Sequence, residues 1–424
     1  MEELVYTENG IKIYGYKNTG INGFFISLFV KAGSMYEGEG ERGITHFLEH
    51  ALVRNVNKIM DMRLYSELDR RGLEFNASTF AEMVQFYVFG ASKNFSLGAD
   101  IISRLFEPII LDKAETDIER RRIKAEIREN DDKSSMSTFA METLYRATSL
   151  MYSITGTRGD VDKIGARRLE EYRSKIFEAD NLFLYVTGNY TNEDIAYLSH
   201  LVGRAQLARE KISPPRDNTA PVPHNFGKRG AEVAVKNSDY TMVRFNFDID
   251  MSIVSSPVCD LVYDNLFSGY NSPFFIKMSE EGGMVYDISG AIERYTNIGS
   301  LYFSFELKEK DIYEAVKLSV ELINSFKLFP PSEIIKAPYT DNAPLLLDDA
   351  REMNFTFAYD SHIMGLGYRD IEERSAAYEK ITREDLRQAA CQIFTSDNLT
   401  LTVKGNKKRI DAKRLSDICR ELDI

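Results

Sequence analysis

The sequence predicts an α+β fold of two homologous halves, each with a mostly antiparallel sheet packed against helices. Three observations support this prediction. A helix-to-strand segment occurs twice, strand-like and helix-like patterns alternate along both halves, and a proline-rich stretch separates the halves. At 424 residues the chain also exceeds the size at which one hydrophobic core usually stops growing. We therefore expect at least two domains.

The repeated segment joins the end of a helix to a strand. Residues 175–189 read KIFEADNLFLYVTGN, and residues 392–406 read QIFTSDNLTLTVKGN. Each copy ends a helical pattern, turns at Asp-Asn and enters an alternating apolar strand that closes with Gly-Asn. A weaker match, which needs a short gap, pairs residues 64–89 with residues 275–305. Duplication of one structural unit explains both matches.

The boundary between the halves is predicted from prolines. Four of them occur within residues 213–223, which favours an extended linker over packed structure. We predict an N-terminal domain at residues 1–212, a linker at 213–230 and a C-terminal domain at 231–424. The patterns predict strands at residues 23–31, 84–90, 241–248 and 300–307, and amphipathic helices at 114–130 and 312–326.

The composition is that of an ordinary folded protein, with 43% hydrophobic and 28% charged residues. The formal net charge of −12 provides no general field that would attract nucleic acid, so we expect no nucleic-acid partner. The first ten residues lack the apolar core of a signal peptide, and no stretch reaches 18 uninterrupted apolar residues. These features predict a cytoplasmic protein without a membrane span.

Cysteine and histidine usage limits the kind of metal site that the chain could form. The three cysteines are widely separated and odd in number, which argues against a disulfide framework or a cysteine-based zinc finger. We expect them to be buried small hydrophobic residues. Any bound metal must then be held by histidines and carboxylates, and two of the five histidines lie four residues apart.

Those two histidines, His46 and His50, lie in the segment GITHFLEHALV. No proline or glycine interrupts the segment after its first residue, so it predicts a helix that begins near Thr45, a plausible N-cap. Positions four apart share one helical face, so both imidazoles can bind one ion, with Glu49 on the same face. The His-x-x-Glu-His order is an inverted zinc peptidase signature. The alternative is a helix surface on which Glu49 forms a solvated salt bridge.

A third ligand would come from the helical pattern at residues 115–129. Glu119 and Glu126 are seven residues apart, which places their carboxylates on one face two turns apart. Glu126 could bind the metal while Glu119 supports a ligand from behind. Spacing alone does not distinguish Glu126 from Glu115 or Glu129, and a glutamate in so charged a helix is commonly a solvated surface residue.

These features resemble the pitrilysin/insulinase family of zinc peptidases, and most closely its short processing-peptidase branch. The resemblance covers nearly the whole chain, through the histidine motif, the glutamate helix, the Asn-Ala-Ser-Thr segment at residues 76–79 and the duplicated halves. It implies Zn²⁺ as the cofactor and Glu49 as the general base. It further implies that the ligands are His46, His50 and Glu126, with Glu119 in support.

The resemblance also bears on substrate binding. In the family, the Asn-Ala-x-Thr segment borders an edge strand that pairs with extended substrate, which implies this role for Asn76, Ala77 and Thr79. Members that act alone or as homodimers carry an Arg followed seven residues later by a Tyr, and this pair contacts the substrate backbone near the zinc. Tyr286 matches the Tyr, whereas Ser279 stands at the position of the Arg. Serine lacks the forked cationic donor of an arginine, so a self-sufficient site is in doubt.

The departure at Ser279 implies a division of labour between two chains. This chain resembles the metal-bearing subunit of a heterodimer whose homologous partner supplies the Arg/Tyr pair. The implied activity is hydrolysis of peptide bonds in unfolded peptides or leader sequences, such as a bacteriocin precursor, in a chamber that the C-terminal half completes. The alternative is a noncatalytic scaffold subunit, because the family also contains core proteins that keep the fold without the chemistry.

Overall fold

The computed structural model describes residues 1–130, 135–146, 148–205, 207, 229–295 and 298–423. The proline-rich stretch at residues 213–223, and with it nearly all of the predicted linker, lies outside the described residues. Within the described chain, two sheets account for all the named strands, and helices pack against both sheets.

The first sheet has six strands in the order β1-β2-β6-β3-β5-β4. Strands β2 and β6 are parallel, and the other neighbouring pairs are antiparallel. Strand β4 lies at one edge, which leaves one of its sides without a strand partner in the described chain. The strands are β1 (Glu3–Tyr6), β2 (Lys12–Lys17), β3 (Gly23–Val30), β4 (Glu74–Thr79), β5 (Val84–Ala91) and β6 (Leu182–Gly188).

The second sheet repeats the topology of the first. Its order is β7-β11-β8-β10-β9, with β7 and β11 parallel and the other pairs antiparallel. Strands β2 to β6 of the first sheet have the same order and the same directions, so the duplication predicted from the sequence is confirmed in the fold. The strands are β7 (Glu232–Asn237), β8 (Thr241–Asp250), β9 (Ser289–Arg294), β10 (Ile298–Leu307) and β11 (Leu399–Gly405).

The helices follow the apolar periodicity of the sequence, and several begin at a side-chain cap. Thr191 at the start of α8 and Thr382 at the start of α13 each form a capping box with the aspartate three residues later. The helices are α1 (Ile44–Ile59), α2 (Leu64–Arg71), α3 (Phe95–Ser103), α4 (Lys113–Asn130), α5 (Met136–Leu144), α6 (Arg158–Val161), α7 (Ala166–Ile176), α8 (Asn192–Gly203), α9 (Ser256–Leu266), α10 (Ile312–Leu328), α11 (Ala350–Phe357), α12 (Ile371–Glu379), α13 (Arg383–Ile393) and α14 (Ala412–Cys419).

The chain forms two compact units, but they are not the contiguous domains 1–212 and 231–424. The described residues between 135 and 151 belong to the unit of the second sheet, and residues 343–371 belong to the unit of the first sheet. The predicted domain division is therefore corrected: one helical segment of the N-terminal half belongs to the second unit, and one of the C-terminal half belongs to the first unit. The physical reason is packing, because α5 lies against β8 and β11, whereas α11 lies against β3 and β6.

Helix α11 is held to the first sheet by apolar and polar contacts. Its buried residues Met353 and Phe357 share a core cluster with Phe29 and Phe183 of the sheet. Asn354 is also buried, and its side-chain carbonyl accepts a hydrogen bond of 2.7 Å from the Ser27 hydroxyl on β3. Helix α11 therefore buries one face of the first sheet at its two central strands.

The cysteines agree in part with the expectation that they are buried and unpaired. All three cysteines are free, and Cys259 and Cys419 are buried as expected, whereas Cys391 is exposed on α13. None of the helices in the described ranges combines the length and the apolar character that crossing a lipid bilayer requires.

Candidate metal centre

Helix α1 carries the histidine motif and begins one residue earlier than predicted. Its N-cap is Gly43, in the left-handed conformation, and not Thr45. The carboxylate of Glu37 accepts hydrogen bonds from the backbone N–H groups of Gly43 at 2.8 Å and Thr45 at 2.9 Å. The Thr45 side chain instead shares a buried hydrogen bond with the hydroxyl of Tyr172. A carboxylate from an earlier loop therefore does the capping, which also suits the positive end of the helix dipole.

Three side chains from α1 and α4 converge: His46, which is buried, and His50 and Glu126, which are partly buried. Glu126 Oε1 lies 3.6 Å from His46 Nε2, and Glu126 Oε2 lies 3.4 Å from His50 Nε2. One candidate ligand atom from each residue lies within 4.8 Å of the other two. Donor atoms bound tetrahedrally to one zinc ion at about 2.0–2.1 Å are about 3.4 Å apart. The donor set fits a zinc ion, and the distances from Glu126 to the two histidines are close to this spacing.

Burial favours the neutral form of the first histidine. His46 is buried, and burial together with the neighbouring His50 lowers the pKa of His46 to about 4. A metal ligand has to be an unprotonated imidazole, so this environment prepares His46 for binding at neutral pH.

Glu119 lies behind the second histidine. Its Oε2 is 3.5 Å from His50 Nδ1, so the other ring nitrogen of His50 faces Glu126. Arg54 donates to Glu119 at 2.7 Å, and Arg122 donates to it at 3.2 Å. Burial opposes ionisation of Glu119, but the contacts with His50, Arg54 and Arg122 outweigh it and lower the pKa of Glu119 to about 2. Glu119 is therefore a fixed anion that can orient His50.

The two glutamates that spacing had left open have other surroundings. Glu115 is 2.5 Å from Lys58 Nζ, and it also accepts from the backbone of Asp112. Glu129 is exposed, with only Arg128 at 4.0 Å among its ion pairs in the described chain. Neither glutamate belongs to the group of His46, His50 and Glu126 that could hold a metal. The geometry thus favours Glu126, the residue that the resemblance implies.

Glu49 shares the helical face of the histidines and contacts a strand. Its Oε2 accepts a hydrogen bond of 2.5 Å from the hydroxyl of Thr79, the last residue of β4. Burial raises the pKa of Glu49, against the lowering effect of Thr79 and of nearby His50. A raised pKa brings a carboxylate closer to the range in which it can take up and release a proton.

The Asn-Ala-Ser-Thr segment lies on the edge strand β4, as the resemblance implies. Asn76 and Ala77 pair with Tyr87 and Phe86 of β5, and the opposite side of β4 has no strand neighbour in the described chain. Asn76 is exposed, and Ala77 is partly buried against the core. An open strand edge next to Glu49 can pair with an extended chain.

Tyr286 and Ser279 both lie in the unit of the second sheet. Tyr286 is 94% exposed, and the Ser279 hydroxyl donates to the backbone carbonyl of Tyr286 at 3.1 Å. Ser279 belongs to a π-helical segment, Phe275–Glu281. The substrate role of Tyr286 remains a prediction.

Arg54 and Glu37 contact residues of the candidate site but are absent from the sequence-based predictions. The sequence contains a pattern that could have identified Arg54, but none that could have identified Glu37. Arg54 follows His50 by four residues, so its place on the ligand face of α1 could have been read from helical spacing. Glu37 lies in a loop before the helix, and no local pattern links it to the helix N-terminus. Its contacts with Gly43 and Thr45 depend on the loop conformation.

Two family models match the chain. The model described as Insulinase (Peptidase family M16) matches residues 22–158, which contain α1, β4 and α4. The model described as Peptidase M16 inactive domain matches residues 163–337. The first match therefore contains every candidate metal-centre residue, and the second continues into the other homologous half.

Individual proteins give consistent results. Mitochondrial-processing peptidase subunit beta of Rattus norvegicus is 25% identical over 308 residues, which cover 72% of this chain and 60% of that protein. An uncharacterized zinc protease of Rickettsia bellii is 23% identical over 416 residues, which cover 94% of this chain and 96% of that protein. The match thus spans about 60% of the length of the processing-peptidase subunit, and nearly all of the bacterial protein.

Solved structures support the fold. A protease from Helicobacter pylori has a TM-score of 0.80 at 17% identity, with 96% of this chain and 99% of that chain covered. A chain of complex III2 from Candida albicans has a TM-score of 0.78 at 15% identity, with 98% and 99% covered. At such identities the likeness shows the architecture alone. Together with the two family models, it leads to one conclusion: this chain belongs to the peptidase M16, or insulinase, family.

Proposed function

We propose that this chain is a zinc-dependent peptidase that hydrolyses peptide bonds in extended, unfolded peptides. The observation that carries the proposal is the convergence of His46, His50 and Glu126 within 4.8 Å, with Glu49 on the same face of α1. Two imidazoles and one carboxylate leave a fourth tetrahedral position open, as catalytic zinc sites do. Similarity to a zinc protease and to a processing peptidase supports the same reading.

The residues of the chain divide the chemistry between them. A zinc ion held by the two histidines and Glu126 would supply Lewis acidity toward the scissile carbonyl and its attacking water. Glu49 acts as the general base that takes the proton of the water, and it returns this proton to the leaving amine. Glu119, fixed by Arg54, keeps the ring of His50 oriented throughout.

An extended peptide is the substrate that the edge strand favours. The open side of β4 offers backbone N–H and C=O groups to a chain in β conformation, whereas a folded protein seldom presents a free strand. Asn76 and Ala77 would contact the peptide beside the metal centre. A leader sequence or another unfolded precursor has the required form, in agreement with the similarity to a processing peptidase.

We further propose that the active form is a heterodimer. Ser279 cannot donate two parallel hydrogen bonds to a peptide carbonyl as an arginine does, so half of the expected substrate clamp is missing. A homologous partner with an Arg/Tyr pair would complete it. The relative named as a beta subunit of a processing peptidase is consistent with a chain that acts together with another subunit.

A noncatalytic scaffold is the second candidate. It is favoured by the match of residues 163–337 to a model described as an inactive domain, and by similarity to a complex III2 chain. A scaffold has no need of a metal. Zinc content therefore separates the two candidates before any activity is measured.

The decisive experiment measures zinc content and peptide cleavage for the wild type, Glu49→Gln and Glu129→Gln. Each protein is assayed alone and with a co-encoded homologue that carries an Arg/Tyr pair. We expect one zinc per chain in all three, and loss of turnover only in Glu49→Gln, by about 10² to 10⁴. Glu129→Gln is the matched control, because Glu129 is exposed on α4 and outside the ligand group.

The outcomes are distinct. Wild-type turnover in Glu49→Gln would overturn the assignment of the base. Zinc-free protein that assembles with its homologue would favour the scaffold. Full activity without any homologue would overturn the heterodimer while leaving the peptidase in place.

A further inference from the structure

The hydrogen bond between Thr79 and Glu49 joins two parts of the site that sequence reasoning treats separately. Thr79 ends β4, the edge strand, and Glu49 lies on α1, the helix with the histidines. The Thr79 hydroxyl is the donor and Glu49 Oε2 is the acceptor, at 2.5 Å. The resemblance had implied that Thr79 contacts substrate. In the structure, its hydroxyl contacts the proposed base.

The pleat of β4 explains why Thr79 can reach α1. Side chains alternate along a strand, so Phe75, Ala77 and Thr79 share one face. Phe75 and Ala77 pack against the core cluster of the first unit, to which Phe47 and Leu48 of α1 belong. The Thr79 side chain therefore faces the helix side of the sheet, where Glu49 lies.

One anchored oxygen changes what the other oxygen of the carboxylate can do. A glutamate side chain has three rotatable bonds, and an unanchored carboxylate samples several rotamers. With Oε2 held by Thr79, the position of Oε1 is restricted, and His50 and Glu126 lie near enough to interact electrostatically with Glu49. A base must lie within hydrogen-bond reach of the proton that it abstracts, and small misplacements lower the rate strongly.

We propose that Thr79 is a positioning residue for Glu49, whose hydroxyl holds the carboxylate in the orientation required for proton transfer. This inference rests on the proposed peptidase function. It also gives the edge strand a second task. The backbone of β4 would set the register of the bound peptide, while the side chain of its last residue sets the position of the base. One strand would thus position both the substrate and the base.

The test compares Thr79→Val, Thr79→Ser and Thr187→Val with the wild type. Valine keeps the shape of threonine and removes the hydroxyl, and serine restores the hydroxyl. Thr187 is the matched control, because it lies in the same sheet on β6 and its buried hydroxyl donates to the backbone of Ala350 at 2.6 Å. Measured quantities are kcat, KM, zinc per chain and the thermal midpoint Tm, with the homologous partner present in every assay.

We expect Thr79→Val to lower kcat by about tenfold to a hundredfold, the size of a lost hydrogen bond to a charged group, with KM within about twofold. Zinc content should be unchanged, and Thr79→Ser should restore kcat to within about threefold of the wild type. Thr187→Val should lower Tm through a lost buried hydrogen bond and leave kcat unchanged.

Each contrary result has its own meaning. A rise in KM with unchanged kcat in Thr79→Val would make Thr79 a substrate contact and overturn the inference. Loss of zinc, or a failure of Thr79→Ser to restore kcat, would assign it a structural role and overturn it too. A wild type that binds zinc yet cleaves no peptide with its partner would instead refute the peptidase, and the inference with it.

Discussion

Glu119→Gln tests whether the carboxylate of Glu119 supports His50, without changing any of the candidate metal ligands. The substitution keeps the shape of the side chain and removes its charge. It weakens the contact with His50 Nδ1, which is 3.5 Å from Glu119 in the wild type. It also places a neutral amide beside Arg54, which in the wild type donates to a Glu119 carboxylate oxygen at 2.7 Å. The three candidate ligands themselves are unchanged, so any loss of zinc affinity reflects the orientation and basicity of His50.

The size of the effect follows from these contacts. Loss of a carboxylate partner behind a metal-binding histidine typically lowers metal affinity by about tenfold to a hundredfold, which is about 1.4–2.7 kcal/mol. The fold should also lose stability, because Arg54 and Arg122 lose the carboxylate that neutralises them. A charge-assisted hydrogen bond contributes about 1.5–3 kcal/mol, and the glutamine carbonyl retains part of that as a neutral acceptor.

The assay is a zinc competition titration against a chromophoric chelator, with Tm measured on the same samples. Glu115→Gln is the control, since Glu115 pairs with Lys58 across the same two helices without facing a histidine. A partly exposed ion pair contributes only about 0–1 kcal/mol, so this control should keep its zinc affinity. If Glu119→Gln binds zinc within twofold of the wild type, Glu119 does not support His50 and the reasoning fails.

Two further predictions concern the start of α1. Gly43 has φ of 76°, and an added Cβ would lie 2.5 Å from the carbonyl oxygen of Thr155, whereas Gly72 has φ of 62° with open space around it. Gly43→Ala should therefore lower Tm clearly more than Gly72→Ala, whose cost is the left-handed conformation alone at about 1–2 kcal/mol; equal Tm losses would contradict the clash. Burial raises the pKa of Glu37 above 4.5, although its contacts with Thr45 and Gly43 lower it. A carboxyl group with a raised pKa in the folded state stabilises the fold below the unfolded pKa of about 4.3, and this stabilisation disappears as pH rises. The Tm of the wild type should therefore fall relative to that of Glu37→Gln between about pH 4 and 7. A Tm difference that does not depend on pH would refute this prediction.

The common face of the two histidines could be predicted because its information is local. The i and i+4 spacing of His46 and His50 fixes their common face once the segment is a helix. The third ligand could not be chosen locally, because Glu115, Glu126 and Glu129 all lie on α4. The distances to the histidines favour Glu126, and those distances depend on how α4 packs on α1.

The helix start and the role of Thr79 show the limits of local reasoning. Thr45 is a good N-cap residue by type. The N-cap is nevertheless the left-handed Gly43, and the carboxylate of Glu37 accepts hydrogen bonds from the first backbone N–H groups of the helix. Thr79 could be assigned to a strand from its segment, but its contact with Glu49 arises from tertiary packing between residues 30 positions apart. Spacing predicts which residues share an element, and packing decides which elements meet.

The exchanged segments were beyond prediction for a related reason. The pattern of α11 indicates an amphipathic helix, but the apolar face of a helix does not specify which sheet it will pack against. In the structure, Met353 and Phe357 complete the core of the first sheet, although they lie in sequence between β10 and β11 of the second sheet. Contiguous domains were the simpler expectation, and the duplicated pattern alone could not distinguish an exchanged arrangement from it.

This exchange bears on how the metal centre is stabilised. The residues of the centre all come from α1, β4 and α4, within the first 130 residues. Yet β3 and β6, the central strands of the sheet that carries β4, are covered on one face by α11, and the Ser27 hydroxyl on β3 is paired with Asn354. Without residues 343–371, that face would expose buried aromatic side chains such as Phe29 and Phe183 to water, and burial of such side chains is a main source of folding free energy. The half that carries the candidate metal centre is therefore not a self-contained domain, because residues 343–371 of the same chain complete its core.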